Sequence, residues 1–144
     1  MTKNQLLDNR YQIINKLHET NLSITFQGKD TKNFNRLCLI KQLKSSYNPQ
    51  LKKQLEQRFQ QEAKILERLG NHPQIPDLYS YFSENNQFYL IQEWIAGGNL
   101  QERLEKQGKL TESEVKDILI KILPVLEFLQ KNQIIHRDIK PSNI

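Results

Sequence analysis

Hydrophobic positions in this chain follow a strand-like pattern first and a helical one later. Arg10 to Leu17 carries Tyr11, Ile13, Ile14 and Leu17, Leu22 to Gly28 carries Ile24, Thr25 and Phe26, and Leu37 to Leu43 is richly apolar. Short runs with this β-branched and aromatic content predict three strands. The polar link from Asp30 to Asn35 suits a hairpin turn between the second and third. Pro49 then opens a helix to about Leu69, and Gly70-Asn71-His72-Pro73 supplies its stop. Two more strands are predicted over Leu78–Ser83 and Gln87–Glu93, with Glu84-Asn85-Asn86 as the turn. After Gly97-Gly98 come a short helix from Asn99 and a long one from Thr111 to about Asn132, whose Thr111 and Glu114 are spaced as a capping box. Strands with one inserted helix, followed by helices, give an α+β order.

Two charges interrupt the apolar pattern. Strand side chains alternate, so Leu37, Leu39, Lys41 and Leu43 share a face, with a lysine among leucines. Leu55, Phe59, Glu62, Leu66 and Leu69 form one face of the next helix, with a glutamate where a hydrophobe is expected. An unpaired buried ammonium is expensive, so opposite charges on adjacent elements are expected to satisfy each other. The alternatives are a Lys41 that snorkels at a sheet edge and a Glu62 solvated at the border of the stripe.

The long helix is apolar over much of its circumference, displaying Val115, Ile118, Leu119, Ile122, Leu123, Val125, Leu126, Phe128 and Leu129. Pro124 within it is expected to loosen the hydrogen-bond ladder and bend it. Left uncovered, this face calls for a protein partner or a continuation of the chain, or it invites aggregation.

At 144 residues the chain is one domain's worth of protein or a piece of a larger one. The net charge is +5, with Lys52, Lys53, Arg58, Lys64 and Arg68 in one stretch. Glu56, Glu62 and Glu67 are interleaved there, as on the wet face of a helix. No aromatic-and-basic platform or zinc spacing supports nucleic-acid binding. No run is long enough to cross a bilayer, and residues 1–5 lack a signal-peptide core. The single Cys38 forms no internal disulfide, which fits a cytoplasmic setting.

The chemistry concentrates in His136-Arg137-Asp138-Ile139-Lys140-Pro141-Ser142-Asn143. This matches H-R-D-x-x-x-x-N, the catalytic loop of protein kinases. Asp138 is suited to accept the proton of an attacking hydroxyl, Lys140 to offset charge on a transferring phosphate, and the Asn143 amide oxygen to bind Mg²⁺. Lys41 within Cys38-Leu39-Ile40-Lys41, Glu62 in the following helix, and this loop occur in the order used by eukaryotic-type Ser/Thr protein kinases. Leu69-Gly70-Asn71-His72-Pro73 and the stretch Tyr89 to Leu100 are similar to that family too, in wording nearest its bacterial and especially cyanobacterial branch.

The resemblance covers residues 10–144 and leaves 1–9 as a tail. It implies a small lobe over about 10–93 (a five-stranded antiparallel sheet plus one helix), a hinge at 94–98 and the start of a helical lobe over 99–144. It further implies ATP and Mg²⁺ as cofactors and a protein Ser/Thr substrate. Lys41 would hold the α- and β-phosphates and Glu62 would fix Lys41. Leu17, Thr25 and Leu39 would line the adenine pocket, Gln92 would be the gatekeeper, and backbone groups from Glu93 to Ile95 would bond the adenine edge. Asp138 would be the catalytic base, with Lys140 the residue typical of Ser/Thr kinases.

Three departures qualify this picture. The phosphate-covering G-x-G-x-x-G loop is replaced by His18-Glu19-Thr20-Asn21-Leu22-Ser23, with His18, Thr20 and Ser23 at the glycine positions. Side chains there are expected to stiffen or obstruct the loop, although its backbone N–H groups are expected to remain available. Leu39 and Thr25 stand where smaller or differently shaped residues are usual, an overpacking of about 1–3 kcal/mol. No D-F-G motif occurs before Ile144. The resemblance therefore implies the N-terminal portion of a Ser/Thr kinase domain, expected to be inactive alone. The second reading is a pseudokinase-like module that binds a nucleotide or a partner without catalysis.

Overall fold

The computed structural model describes residues 5–45, 48–70, 72–136 and 139–144. The chain forms two compact units, Met1–Ile95 and Ala96–Ile144. In the first, strands β1 (Tyr11–Glu19), β2 (Ser23–Asp30), β3 (Arg36–Leu43), β4 (Leu78–Glu84) and β5 (Gln87–Glu93) build an antiparallel sheet in the order β1-β2-β3-β5-β4. Helix α1 (Pro49–Leu69) is inserted between β3 and β4. The predicted five-stranded sheet with one helix is the fold observed.

The first hairpin is longer than its apolar pattern predicts. Pairing continues to Glu19↔Ile24, so polar His18 and Glu19 belong to β1. Main-chain bonding, which is blind to side-chain polarity, sets that end. Helix α1 begins and ends where its caps place it. The Asn48 side chain accepts from the N–H groups of Gln50 (3.0 Å) and Leu51 (3.3 Å), and Pro49 fills the first turn. Gly70 closes the helix at φ 61°, where a β-carbon would be strained. Asn71 of the predicted stop lies outside the described residues.

The sheet has a core on each face. Leu43 and Leu90 pack with Leu55, Phe59 and Ala63 of α1 on one side. On the other, Cys38, Ile40, Tyr89 and Ile91 pack with Tyr11 and Leu7. The second face is the better sealed: Cys38 and Ile40 are fully buried, whereas Leu37 of the expected leucine face is 40% exposed. Leu7, assigned to the tail by sequence, is buried and exchanges backbone bonds with Tyr11.

Among the described residues of this unit, Asp30 at the end of β2 is the buried charged one. It accepts bonds from Arg10 Nε and Nη2, both at 2.7 Å, and from the Lys32 N–H at 3.2 Å. Arg36 lies 3.9 Å away and stacks over the Tyr79 ring. The polar link read as a turn therefore starts with a structural anchor.

The second unit holds α2 (Leu100–Gln107), α3 (Glu112–Lys131) and a short 3₁₀ turn, Pro141–Asn143. Asn99 caps α2 by accepting from the Glu102 N–H at 2.9 Å. The α3 capping box is complete: the Glu114 N–H donates to Thr111 Oγ1 (3.2 Å), and the Thr111 N–H donates to the Glu114 carboxylate (3.1 Å). Thr111→Ala is expected to destabilise this unit by about 1 kcal/mol. Thermal unfolding followed by far-UV circular dichroism checks it, and an unchanged midpoint would remove the cap from the account. Pro124 sits within a helix that continues unbroken to Lys131. Only Leu129 of α3 is buried, while Leu119, Ile120 and Leu123 are more than half exposed.

Candidate active site

Register places the candidate nucleotide residues together. Thr25 pairs with Lys41, and Lys41 with Leu90; Leu39 pairs with Gln92. Directly opposed residues of antiparallel strands project from the same side, as do residues two apart along one strand. Thr25, Leu39, Lys41, Leu43, Leu90 and Gln92 therefore share one face, the face that α1 covers through Leu43 and Leu90.

From α1, Glu62 reaches Lys41: the ammonium donates to Glu62 Oε1 at 2.7 Å. The stripe that places Glu62 is itself packed, with Leu55, Phe59, Ala63 and Leu69 buried and the Phe59 ring 6.0 Å from that of Tyr81. Both charged side chains keep solvent contact, 30% exposed for Lys41 and 43% for Glu62. An ion pair this wet stabilises a fold by less than about 1 kcal/mol. A hydrophobe at position 62 would serve packing as well. The pair is better explained as a means of presenting an ammonium at a fixed position on the sheet.

The remaining first-unit candidates are more dispersed. Leu17 falls at the β1 irregularity between Lys16↔Phe26 and His18↔Thr25, and is 47% exposed. The Glu93 N–H donates to the Asp77 carbonyl at 2.9 Å, and its carboxylate accepts from the Asp77 N–H at 3.1 Å. Ile95 is 58% exposed.

The turn joining β1 to β2 departs from the sequence expectation. Thr20 Oγ1 accepts from the N–H groups of both Leu22 and Ser23, each at 3.1 Å. The Thr20 N–H donates to the Ser23 carbonyl at 2.9 Å, and the Lys44 N–H to that of Leu22 at 2.8 Å. The expectation that the turn's amides remain available is therefore corrected: two of them are satisfied by a side chain that glycine lacks. Glu19 is held by Lys44 (2.7 Å) and Lys16 (2.9 Å). Lys44 first and Lys16 second hold its carboxyl down to about 2, so it stays ionised at neutral pH. In the sequence Glu19 is simply an acidic residue next to the first replaced glycine position. The available signal was a lysine three residues before it and another just after β3.

In the second unit, Lys140 precedes the 3₁₀ turn that carries Asn143, and the Asn143 N–H donates to the Lys140 carbonyl at 2.9 Å. The Leu100 N–H donates to the Ile144 carbonyl at 2.7 Å, tying this turn to α2. Asp138, the candidate base, and Arg137 lie outside the described residues.

A protein-family model for the protein kinase domain matches residues 11–144. The chain belongs to the protein kinase family. Among curated relatives it is 51% identical to serine/threonine-protein kinase PknA of Nostoc, over 97% of this chain and 25% of that protein. It is 48% identical to serine/threonine-protein kinase C of Synechocystis, over 100% of this chain and 28% of that one. The chain thus spans about a quarter of the length of these relatives. Among solved structures, one titled PpkA-294 apo form superposes with a TM-score of 0.82 at 21% identity, covering 94% of this chain and 54% of the other. That likeness speaks for the fold.

Family membership gives the face described above its meaning, since protein kinases use ATP with Mg²⁺. The Lys41–Glu62 pair fits a nucleotide phosphate: it is an oriented cation, partly solvated, on a rigid sheet. The β1–β2 turn does not fit in the usual way, because its donors are engaged. The oxygen-bearing amide of Asn143 suits a hard cation. Among the described residues, no group of three or more His, Cys, Asp or Glu side chains is placed to hold a metal ion. Among the same residues no helix is long and apolar enough to cross a membrane.

Proposed function

We propose that this chain supplies the nucleotide-binding part and the catalytic loop of an ATP-dependent kinase that phosphorylates protein serine or threonine. The 2.7 Å Lys41–Glu62 contact carries the reading, because it joins two residues that packing alone would not select. Lys41 would hold the α- and β-phosphates while Glu62 keeps its ammonium in place. Leu17, Thr25, Leu39 and Gln92 would shape the adenine side, and the backbone from Glu93 to Ile95 would bond the base edge. Asp138 would take the proton of the acceptor hydroxyl, and Lys140 would stabilise the charge that develops on the transferred group. Mg²⁺, held in part by Asn143, would neutralise phosphate charge.

The test is phosphate transfer from ATP with Mg²⁺ to a generic Ser/Thr protein substrate by the full protein that carries this segment. Transfer that Asp138→Asn abolishes supports the reading; transfer indifferent to that change contradicts it. A polypeptide of residues 1–144 only is expected to transfer no phosphate, since it holds no D-F-G aspartate.

A second reading, a module that binds nucleotide or a partner without catalysis, is favoured by the engaged amides of Leu22 and Ser23. Nucleotide-dependent stabilisation of the full protein without transfer to any substrate would select it. The exposed apolar residues of α3 are where a protein partner would sit.

A further inference from the structure

The tip of the β1–β2 hairpin is closed on itself. A phosphate approaching such a turn is ordinarily met by backbone N–H groups that have no other partner, and it gains a charge-assisted bond from each. Here the Leu22 and Ser23 N–H groups converge on one hydroxyl, Thr20 Oγ1, at 3.1 Å each. The backbone bond from Thr20 to Ser23 closes the same turn from the other side. Glu19 and Lys44 clamp its base, because Lys44 bonds both the Glu19 carboxylate and the Leu22 carbonyl. A phosphate must break two existing bonds to gain two, so the net gain per amide is close to nothing.

We propose, resting on the nucleotide reading above, that Thr20 is a positioning residue that builds this turn in place of glycine by capping the Leu22 and Ser23 amides. The turn thereby contributes little to phosphate binding, and the phosphates are held chiefly by Lys41. Thr20 is then a determinant of how strongly this chain distinguishes ATP from adenosine.

Three substitutions separate hydroxyl from shape. Thr20→Val keeps the branched form and loses the acceptor, Thr20→Ser keeps the acceptor, and Thr20→Gly removes both and frees the backbone. In the ligand-free full protein, amide hydrogen exchange at Leu22 and Ser23 is expected to be protected in wild type and Thr20→Ser. It should speed up at least about tenfold in Thr20→Val, the loss expected of one hydrogen bond. By calorimetric titration, Thr20→Gly is expected to tighten ATP binding about tenfold and leave adenosine binding unchanged.

Amides at Leu22 and Ser23 that exchange freely in wild type, or that Thr20→Val leaves protected, would overturn the assignment of Thr20. An ATP affinity unmoved by Thr20→Gly would overturn its role in phosphate binding. The nucleotide reading fails separately, if neither ATP nor adenosine binds any variant while the exchange pattern is as expected.

Discussion

Lys41→Met is expected to weaken ATP binding about ten- to hundredfold and to leave adenosine binding within about twofold, the range for losing one hydrogen bond to a charged group. Lys41 is fixed twice over. Its strand is paired on both sides, to β2 through Thr25 and to β5 through Leu90, and its ammonium is held by Glu62 at 2.7 Å. Methionine is similar in length and apolar, so the face between Leu39 and Leu43 stays filled. The fold should tolerate the change, because a pair this exposed adds little to stability. The loss should therefore appear in the phosphate-dependent part of binding and hardly in the melting temperature. Calorimetric titration with ATP and adenosine, beside a thermal melt, checks both halves. Equal weakening for the two ligands would mean that Lys41 shapes the sheet and does not hold phosphate.

The second large effect concerns stability. Asp30→Asn is expected to destabilise the first unit by about 2–4 kcal/mol, below the full cost of breaking a buried pair because Arg10 is partly solvated. The buried carboxylate accepts from both arms of the Arg10 guanidinium and from the Lys32 N–H. An amide offers one oxygen, and its NH₂ would face a donor. The same bonds give a pH dependence. Arg10 holds the Asp30 carboxyl below the ordinary carboxylate range, outweighing the upward push of burial. A carboxyl whose pKa is depressed on folding contributes stability that is present above its unfolded value, near about 4. That contribution is lost as pH falls through the lower folded value. Urea unfolding between pH 7 and 3 should show wild type losing stability toward acid and the variant losing less. Parallel curves would show that the bridge adds nothing.

The sequence made some of this visible and hid the rest for identifiable reasons. Helix α1 and strand β5 are found at their predicted limits because each has a strong local stop: Asn48-Pro49 and Gly70 for the helix, the Glu84-Asn85-Asn86 turn for the strand. The Lys41–Glu62 pair was legible because each charge breaks an apolar period, and a broken period is a local signal. Asp30 was not, since an acid beside Thr, Lys and Asn resembles an ordinary turn. Only the register that brings Arg10 and Arg36 to it reveals the burial. Leu7 gives no such signal, because Leu6-Leu7 stands as an isolated pair among polar residues and two adjacent leucines define no period. The Thr20 cap was hidden for another reason. The glycine-loop comparison marks what is missing from positions 18, 20 and 23, and says nothing of what a hydroxyl there would bond. The better-sealed sheet face, Cys38 and Ile40, carries no such mark, since alternation along a strand sorts side chains onto two faces without showing which is the more deeply covered.

The central claim is that Lys41 and Glu62 act as one phosphate-holding unit, and a double-mutant cycle tests it most directly. ATP affinity would be measured by calorimetry for wild type, Lys41→Met, Glu62→Gln and the double variant, with adenosine as reference. The predicted result is strong non-additivity, with Glu62→Gln weakening ATP binding in wild type and having almost no further effect once Lys41 is gone. Additive losses would contradict it, showing that Glu62 influences binding by a route other than holding Lys41.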